Sequence, residues 1–160
     1  MIYSNSLYLC ASLIECILGR ILAFDYGTKR TGVAVTDPLQ IIANSLETIR
    51  TFQLMEFLDG YLARETVDVI VLGYPRQMNN EPSDTVPAIE ALAKKIHAKY
   101  PAIPVEYADE RFTSKIAQQT MIMGGVKKKD RQNKGLVDSI SAAIILQSYM
   151  ELRQNMLLKK

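Results

Sequence analysis

The 160-residue sequence has no tryptophan, one histidine and two cysteines. The cysteines, Cys10 and Cys16, lie near the N-terminus without CxxC spacing, and the histidine, His97, lies in a lysine-rich stretch. This composition argues against a zinc site or a disulfide framework and fits a reducing cytosol. Chemistry that needs a histidine base or a Cys–His pair has little to work with, so carboxylates are the remaining candidates for catalysis.

Long apolar runs are also missing. Residues 7–18 form an apolar stretch that is shorter than the roughly 18–20 residues of a membrane span. The stretch lacks the basic start and the small-residue cleavage site of a secretory signal. We therefore expect no membrane partner, and we divide the chain into an N-terminal extension, residues 1–18, and a single domain, residues 19–160.

The overall composition is that of an ordinary globular protein. Apolar residues make up 48% of the chain and charged residues 22%, and the formal net charge is +2. One domain of this length can bury a substantial core. A net charge this small does not by itself indicate a polyanionic partner, so the distribution of the charges matters more.

The apolar pattern predicts an α/β domain. Strands are predicted over residues 21–24, 31–36, 41–50, 67–73 and 105–108. Helices are predicted over residues 52–65, 83–99, 113–123 and 135–156, the first with Phe52 on its apolar face. The strand at 67–73 is almost wholly apolar, as is typical of a central parallel strand. We expect a five-stranded mixed sheet, with three antiparallel strands followed by parallel ones and with helices on both faces.

Three carboxylates stand out by position. Asp25 ends the first strand, Glu110 follows the fifth with Asp109 beside it, and Asp138 falls in the predicted first turn of the last helix. Functional groups gather at the carboxyl ends of parallel strands. Converging carboxylates would repel by about 4 kcal/mol per pair at ~4 Å, unless they were protonated or bound cations. Oxygen ligands suit Mg²⁺ or Mn²⁺, and a two-metal site supports phosphodiester hydrolysis.

Each acid also has a simpler explanation. Asp25 could be a turn former that bonds its own backbone. Asp138 could complement the N-terminus of a helix, and Glu110 could form a solvated pair with Arg111. These alternatives remain open at this point.

A basic run precedes Asp138. Residues 127–134 contain five basic residues and one acid, and Lys29, Arg30 and Arg111 are expected near the same site. Such a run is often only a solvated surface, but each phosphate that it neutralises would add about −0.9 to the salt slope of binding. The charge distribution therefore favours a nucleic-acid partner.

Four segments together resemble the YqgF (RuvX) family. They are GRILAFDYGTKRTGVAVTDP at 19–38, VLGYP at 71–75, DERFT at 109–113 and VDSISAAIILQ at 137–147. The resemblance covers about residues 19–150. Residues 1–18 are additional to the family pattern, and the loop after Asn79 lacks the customary glycines.

The resemblance implies an RNase H-like fold and a nuclease related to Holliday junction resolvases. It also implies a role in maturing the 5′ end of precursor 16S ribosomal RNA in the bacterial cytoplasm, with ribosomal precursor particles as partners. Its acidic site, catalytic and metal-binding, would be Asp25, Glu110 and Asp138. The expected substrate contacts are Thr28, Lys29, Arg30, Arg76, Arg111, Lys127, Lys128, Arg131 and Lys134.

Several functions remain open. Precursor rRNA and branched DNA are both candidate substrates, since RNase H-like sites read the backbone and not the bases. A nucleic-acid-binding module without catalysis is a further alternative. The hairpin from Asp25 to Gly32 also resembles that of sugar kinases and related ATPases, but those enzymes clamp nucleotide between two domains. The oligomeric state, monomer or homodimer, is not encoded in any recognisable pattern.

Overall fold

The computed structural model describes residues 19–75, 84–109, 125, 127 and 132–158 of the chain. The five strands are β1 (Arg20–Tyr26), β2 (Arg30–Thr36), β3 (Ala43–Arg50), β4 (Val67–Tyr74) and β5 (Val105–Asp109). The helices are α1 (Leu54–Leu62), α2 (Val86–Lys99) and α3 (Lys134–Leu158), and a 3₁₀ turn (Thr51–Gln53) precedes α1. The helix predicted over residues 113–123 lies outside the described residues.

The five strands form one mixed sheet in the order β3-β2-β1-β4-β5. Strand β2 is antiparallel to both β1 and β3, whereas β4 is parallel to both β1 and β5. The predicted sheet, with three antiparallel strands followed by parallel ones, is confirmed.

Alternating side chains of the sheet pack into two separate core layers, one on each face. In β1, Leu22 and Phe24 join the layer that contains α1 and α2. Ile21 and Ala23 point to the opposite face and pack with α3. Helices therefore cover both faces, as predicted. In the described part of the chain, no helix is long and apolar enough to cross a membrane.

The start of α1 differs from the prediction. Phe52 was expected on the apolar face of a helix over 52–65, but it lies in the 3₁₀ turn and is 83% exposed. Leu54, Leu58 and Tyr61 make the buried face of α1 instead. Successive residues of an α-helix are about 100° apart, so Phe52 would lie about 160° from Leu54 even in a helix that began at residue 52.

The third strand begins later than predicted. Ile41 and Ile42 were expected in a strand, but β3 starts at Ala43. The Asp37 carboxylate accepts hydrogen bonds from the backbone N–H groups of Ile41 and Ile42, both 2.7 Å, and of Leu39. These bonds, led by the one from Ile42, lower the pKa of Asp37 and hold the segment in a turn.

Helix α3 begins at Lys134, and Asn133 caps it. The Asn133 side-chain oxygen accepts hydrogen bonds from the backbone N–H groups of Gly135 and Leu136. Asp138 is therefore in the second turn of the helix. The prediction that it lies in the first turn was wrong. Because Asn133 satisfies the first turn, a role for Asp138 as the acid that complements the helix N-terminus is weakened.

Tyr149 joins α3 to β5. Its hydroxyl donates a 2.7 Å hydrogen bond to Glu106 Oε2, and burial together with this bond raises the pKa of Tyr149 from 10.0 to about 12. The folded state favours the neutral phenol, so this contribution is present below pH 10 and is lost as pH rises through about 12.

We expect Tyr149→Phe to lower the free energy of unfolding by about 1 kcal/mol at neutral pH, because one hydrogen bond to a carboxylate is lost. Urea denaturation of both proteins measures this difference. The gap should narrow above pH 10, as the parent loses its phenol proton. A gap that stays constant with pH would show that the hydroxyl is not the titrating group.

Candidate functional site

A row of three residues crosses the antiparallel half of the sheet. Asp25 pairs with Gly32, and Gly32 pairs with Thr48. Directly opposed residues point to the same side of a sheet. Asp25 follows Ile21 and Ala23 at even steps along β1, and those two pack with α3. The row therefore faces α3.

The first two turns of α3 rest on this row. The Thr48 hydroxyl donates a 2.6 Å hydrogen bond to the Gly135 carbonyl oxygen. A Cβ atom added to Gly32 would lie well under 3.0 Å from the Asp138 carbonyl oxygen. The backbone of β2 at Gly32 is therefore in close contact with the backbone of α3 at Asp138. Asp138 thus lies over the strand that pairs with Asp25, on the same face of the sheet. The two acids, 113 positions apart in the chain, are brought to one place.

The positions that flank Asp25 carry no side chains. Gly32 is its partner on β2. On β4, the last aligned pair is Phe24 with Leu72, so Gly73 comes next along the strand. Gly32 is instead covered by the backbone of α3. A cation is the ligand that two neighbouring carboxylates, Asp25 and Asp138, would favour.

Asp138 also has an arginine partner. The Nε atom of Arg30 donates to Asp138 Oδ2 at 3.1 Å, and the two side chains are 37% and 28% exposed. Arg30 was expected near the acidic site, and the structure joins it to Asp138. Partly exposed pairs of this kind contribute about 0–1 kcal/mol. An interaction this weak would allow Asp138 to leave Arg30 for a more strongly bound partner such as a cation.

The third expected acid, Glu110, lies outside the described residues. Its neighbour Asp109 ends β5, where it pairs with Tyr74. Ala108 packs in the layer of α3, whereas Val105 packs in the opposite layer. Asp109 is at an even step from Val105, so it is directed away from α3. Within the described ranges, no group of three or more His, Cys, Asp or Glu residues could hold a metal ion.

Of the expected substrate contacts that the structure describes, Arg30 is half-buried and the others are exposed. Thr28 and Lys29 lie in the turn between β1 and β2, and Lys134 is the first residue of α3. Lys127 is exposed as well. The other expected substrate contacts lie outside the described residues: Arg76, Arg111, Lys128 and Arg131.

A cavity beside the β1–β2 turn was not anticipated. Its volume is about 560 Å³ and it is lined by Tyr26, Thr28, Lys29, Arg50, Thr51 and Phe52. The sequence carried one usable signal, the succession of Arg50, Thr51 and Phe52 at the end of a predicted strand. The predicted helix concealed this signal, since it assigned Phe52 to the core.

Two solved structures share the fold. A Thermus RuvC, described as "T. thermophilus RuvC in complex with Holliday junction substrate", aligns with a TM-score of 0.50 and 16% identity over 84% of this chain and 96% of that chain. The Fowlpox virus resolvase, solved with Holliday junction DNA, aligns with a TM-score of 0.52 and 14% identity over 82% and 97%. These likenesses confirm the predicted RNase H-like fold.

Sequence relatives are much closer. Proteins of Phocaeicola vulgatus and Bacteroides thetaiotaomicron are 57% and 54% identical over 137 residues, which cover 86% of this chain and 99% of each relative. Both carry the name "Putative pre-16S rRNA nuclease". A family model described as "RuvX: Holliday junction resolvase" matches residues 19–152. The chain belongs to the RuvX family, as its sequence motifs predicted.

Proposed function

We propose that this protein is a divalent-metal-dependent nuclease and that its reaction is the 5′-end processing of precursor 16S rRNA. The observation that carries the proposal is the close approach of the Asp138 backbone to Gly32, the strand partner of Asp25. This contact gathers two acids from distant parts of the chain on one face of the sheet. The residues present fit a hard cation, since the donors are carboxylates.

We assign the metal-binding and catalytic roles to Asp25, Asp138 and Glu110. The choice of Glu110 over Asp109 follows from strand alternation. Glu106 bonds to Tyr149 of α3, and Ala108 packs in the same layer. Position 110 continues that series in an extended chain, whereas position 109 does not.

The metal and the protein have separate tasks in this proposal. Bound Mg²⁺ or Mn²⁺ supplies activation of water and stabilisation of charge on the phosphate oxygens. The carboxylates of Asp25 and Asp138 hold the cations and fix their position. Arg30 balances the charge of Asp138 in the metal-free protein. When the Asp138 carboxylate binds a cation, the guanidinium of Arg30 is released and can hold a substrate phosphate.

The substrate assignment rests on the relatives. The relatives above are named for pre-16S rRNA, and the match to this chain covers 99% of the length of each relative. We propose accordingly that residues 19–160 form one nuclease domain, with residues 1–18 as an extension, that works on ribosomal precursor particles in the cytoplasm. Thr28, Lys29, Lys127 and Lys134 are exposed and would contact the backbone of the RNA. The set of proposed contacts is completed by Arg30, Arg76, Arg111, Lys128 and Arg131.

The test is a side-by-side cleavage assay on a precursor 16S rRNA fragment and on a four-way DNA junction. We expect the protein to shorten the 5′ end of the RNA when Mg²⁺ or Mn²⁺ is present, and EDTA to stop the reaction. The Asp25→Asn variant, purified identically, should not cleave and so serves as the control for contaminating nucleases.

Each other result has a definite meaning. Cleavage of the junction alone would replace the rRNA reaction with a resolvase reaction at the same site. Cleavage that is equal in Asp25→Asn and parent, or that persists in EDTA, would contradict the metal-dependent mechanism. Binding of both substrates without cleavage would support a non-catalytic binding module.

A further inference from the structure

The cavity next to the β1–β2 turn is open to solvent, and hydrogen bonds fix the segments that line it. We call it the turn cavity, and its lining is Tyr26, Thr28, Lys29, Arg50, Thr51 and Phe52. Thr51 ties its two sides together. The Thr51 hydroxyl donates to the Gly27 carbonyl at 2.6 Å, and the Thr51 N–H donates to the Lys29 carbonyl at 3.2 Å. The turn and the 3₁₀ segment therefore hold a fixed spacing.

Positive charge is concentrated at one side of this cavity. Arg30 and Arg50 are direct partners across β2 and β3, and Lys29 and Arg50 are exposed. Like charges on directly opposed residues destabilise a sheet, although Arg30 forms an ion pair with Asp138. An anion at this edge would relieve the repulsion. A phosphate matches the planar donor groups of arginine.

An aromatic side chain also lines the cavity. Phe52 is 83% exposed, the highest value among the large apolar side chains in the described residues. Exposed apolar groups of this size cost free energy in water, and they are used as stacking platforms for nucleic-acid bases. A nucleotide within a strand has a base with a π-face and a phosphate on each side of its sugar, so an aromatic ring together with two cations matches one nucleotide.

The turn cavity adjoins the carboxylate site. Arg50 lines the cavity, and its direct strand partner Arg30 contacts Asp138. A nucleotide held in the cavity would thus be close to the phosphate at the acids. A paired base in a duplex is stacked on its neighbours and presents only its edge, so the ring of Phe52 can be covered only by an unpaired base.

We propose that the turn cavity binds one unpaired nucleotide of the substrate, with its base on Phe52 and its phosphates on Lys29 and Arg50. The inference rests on the proposed nuclease function and adds to it a substrate class, nucleic acid that is single-stranded next to the cleaved bond. The three side chains are separate from the metal-binding acids.

The experiment measures binding without cleavage. Asp25→Asn protein in EDTA is titrated into a short single-stranded RNA that carries one 2-aminopurine, and the quenching of its fluorescence reports stacking. We expect Phe52→Ala to weaken single-strand binding at least about fivefold, as expected for the loss of one base–aromatic stack, and to abolish part of the quenching. Phe52→Trp should restore both. Arg50→Gln should reduce the salt slope by about 0.7.

Matched controls lie elsewhere on the surface. Met156→Ala removes another exposed apolar side chain, at the far end of α3. Lys95→Gln removes an exposed charge from α2. Neither should change single-strand binding more than twofold. The same RNA annealed to its complement should bind parent and Phe52→Ala equally.

Two outcomes would overturn the inference. Phe52→Ala could bind single strands as tightly as its parent, or it could weaken duplex binding as much as single-strand binding. Failure of the nuclease function has a different signature, because protein that cleaves nothing in Mg²⁺ but shows the Phe52-dependent quenching retains the nucleotide site. Protein that binds no probe at all contradicts both.

Discussion

Asp138→Asn is expected to lower the rate of RNA cleavage by more than 100-fold while leaving the fold intact. The substitution keeps the shape of the side chain but removes the charge that holds a divalent cation. Loss of a residue that only supports a metal ligand costs roughly 10–100-fold, so loss of a ligand itself should cost more. Asp25→Asn should have an effect of the same order. Single-turnover cleavage rates at saturating Mg²⁺ measure both.

Arg30→Gln distinguishes a metal ligand from a structural ion pair. If Asp138 serves only to hold Arg30, removal of either partner should have the same effect on rate and stability. In our proposal the two variants differ. Arg30→Gln keeps the increase in melting temperature that Mn²⁺ produces in the parent, and Asp138→Asn loses it. The ion pair is half exposed, so neither change should reduce stability by more than about 1 kcal/mol.

The melting curves decide the matter in the presence and absence of Mn²⁺. Asp138→Asn that still responds to Mn²⁺ as strongly as the parent would remove Asp138 from the proposed ligand set. The pair would have a structural role if Arg30→Gln and Asp138→Asn lost cleavage equally and showed the same increase in melting temperature with Mn²⁺.

Gly32→Ala is expected to cause the largest loss of stability. The new Cβ atom would lie well under 3.0 Å from the Asp138 carbonyl oxygen and close to the Ser139 nitrogen. Backbone atoms cannot rotate away as a flexible side chain does, so α3 must shift on the sheet. Overpacking of this kind costs about 1–3 kcal/mol, which lowers the melting temperature by roughly 2–12 °C in a chain of this length. Cleavage should fall as well, because Asp138 moves with the helix.

Gly60→Ala is the matched control. Gly60 lies within α1, and a Cβ atom there would have no atom within 4 Å. Alanine in a helix is favoured over glycine by about 0.5–1 kcal/mol, so this variant should melt at the same or a slightly higher temperature and cleave normally. Thermal denaturation and the cleavage assay compare the three proteins. A Gly32→Ala protein as stable and active as Gly60→Ala would show that α3 does not depend on the close contact.

Much of the fold was accessible from the sequence because its signals are local. The apolar run of β4 and the period of α2, with Val86, Ile89, Ala93 and Ile96 buried, depend on neighbouring residues alone. The errors arose where side chains bond to the backbone. Asp37 draws Ile41 and Ile42 into a turn, and Asn133 starts α3 early enough to put Asp138 in its second turn.

The site could be predicted only in part. The position of Asp25 at the end of β1 follows from a strand and a turn that are adjacent in the chain. The pairing of Arg30 with Asp138 joins residues 108 positions apart, and no local pattern encodes it. Phe52 was misassigned because its three-residue spacing from Met55 is helical, whereas the buried face of α1 consists of Leu54, Leu58 and Tyr61. Only the register of β2 and β3 puts Arg50 beside Arg30.

Contact between main chains at Gly32 has a consequence for how the protein tolerates change. The offset between the two acids is fixed by peptide groups, which are identical in every residue, and not by the choice of rotamer in a mobile side chain. Substitutions over most of the outer surface of α3 can therefore accumulate without disturbing that offset. A single methyl group at one position of β2 is enough to reset it.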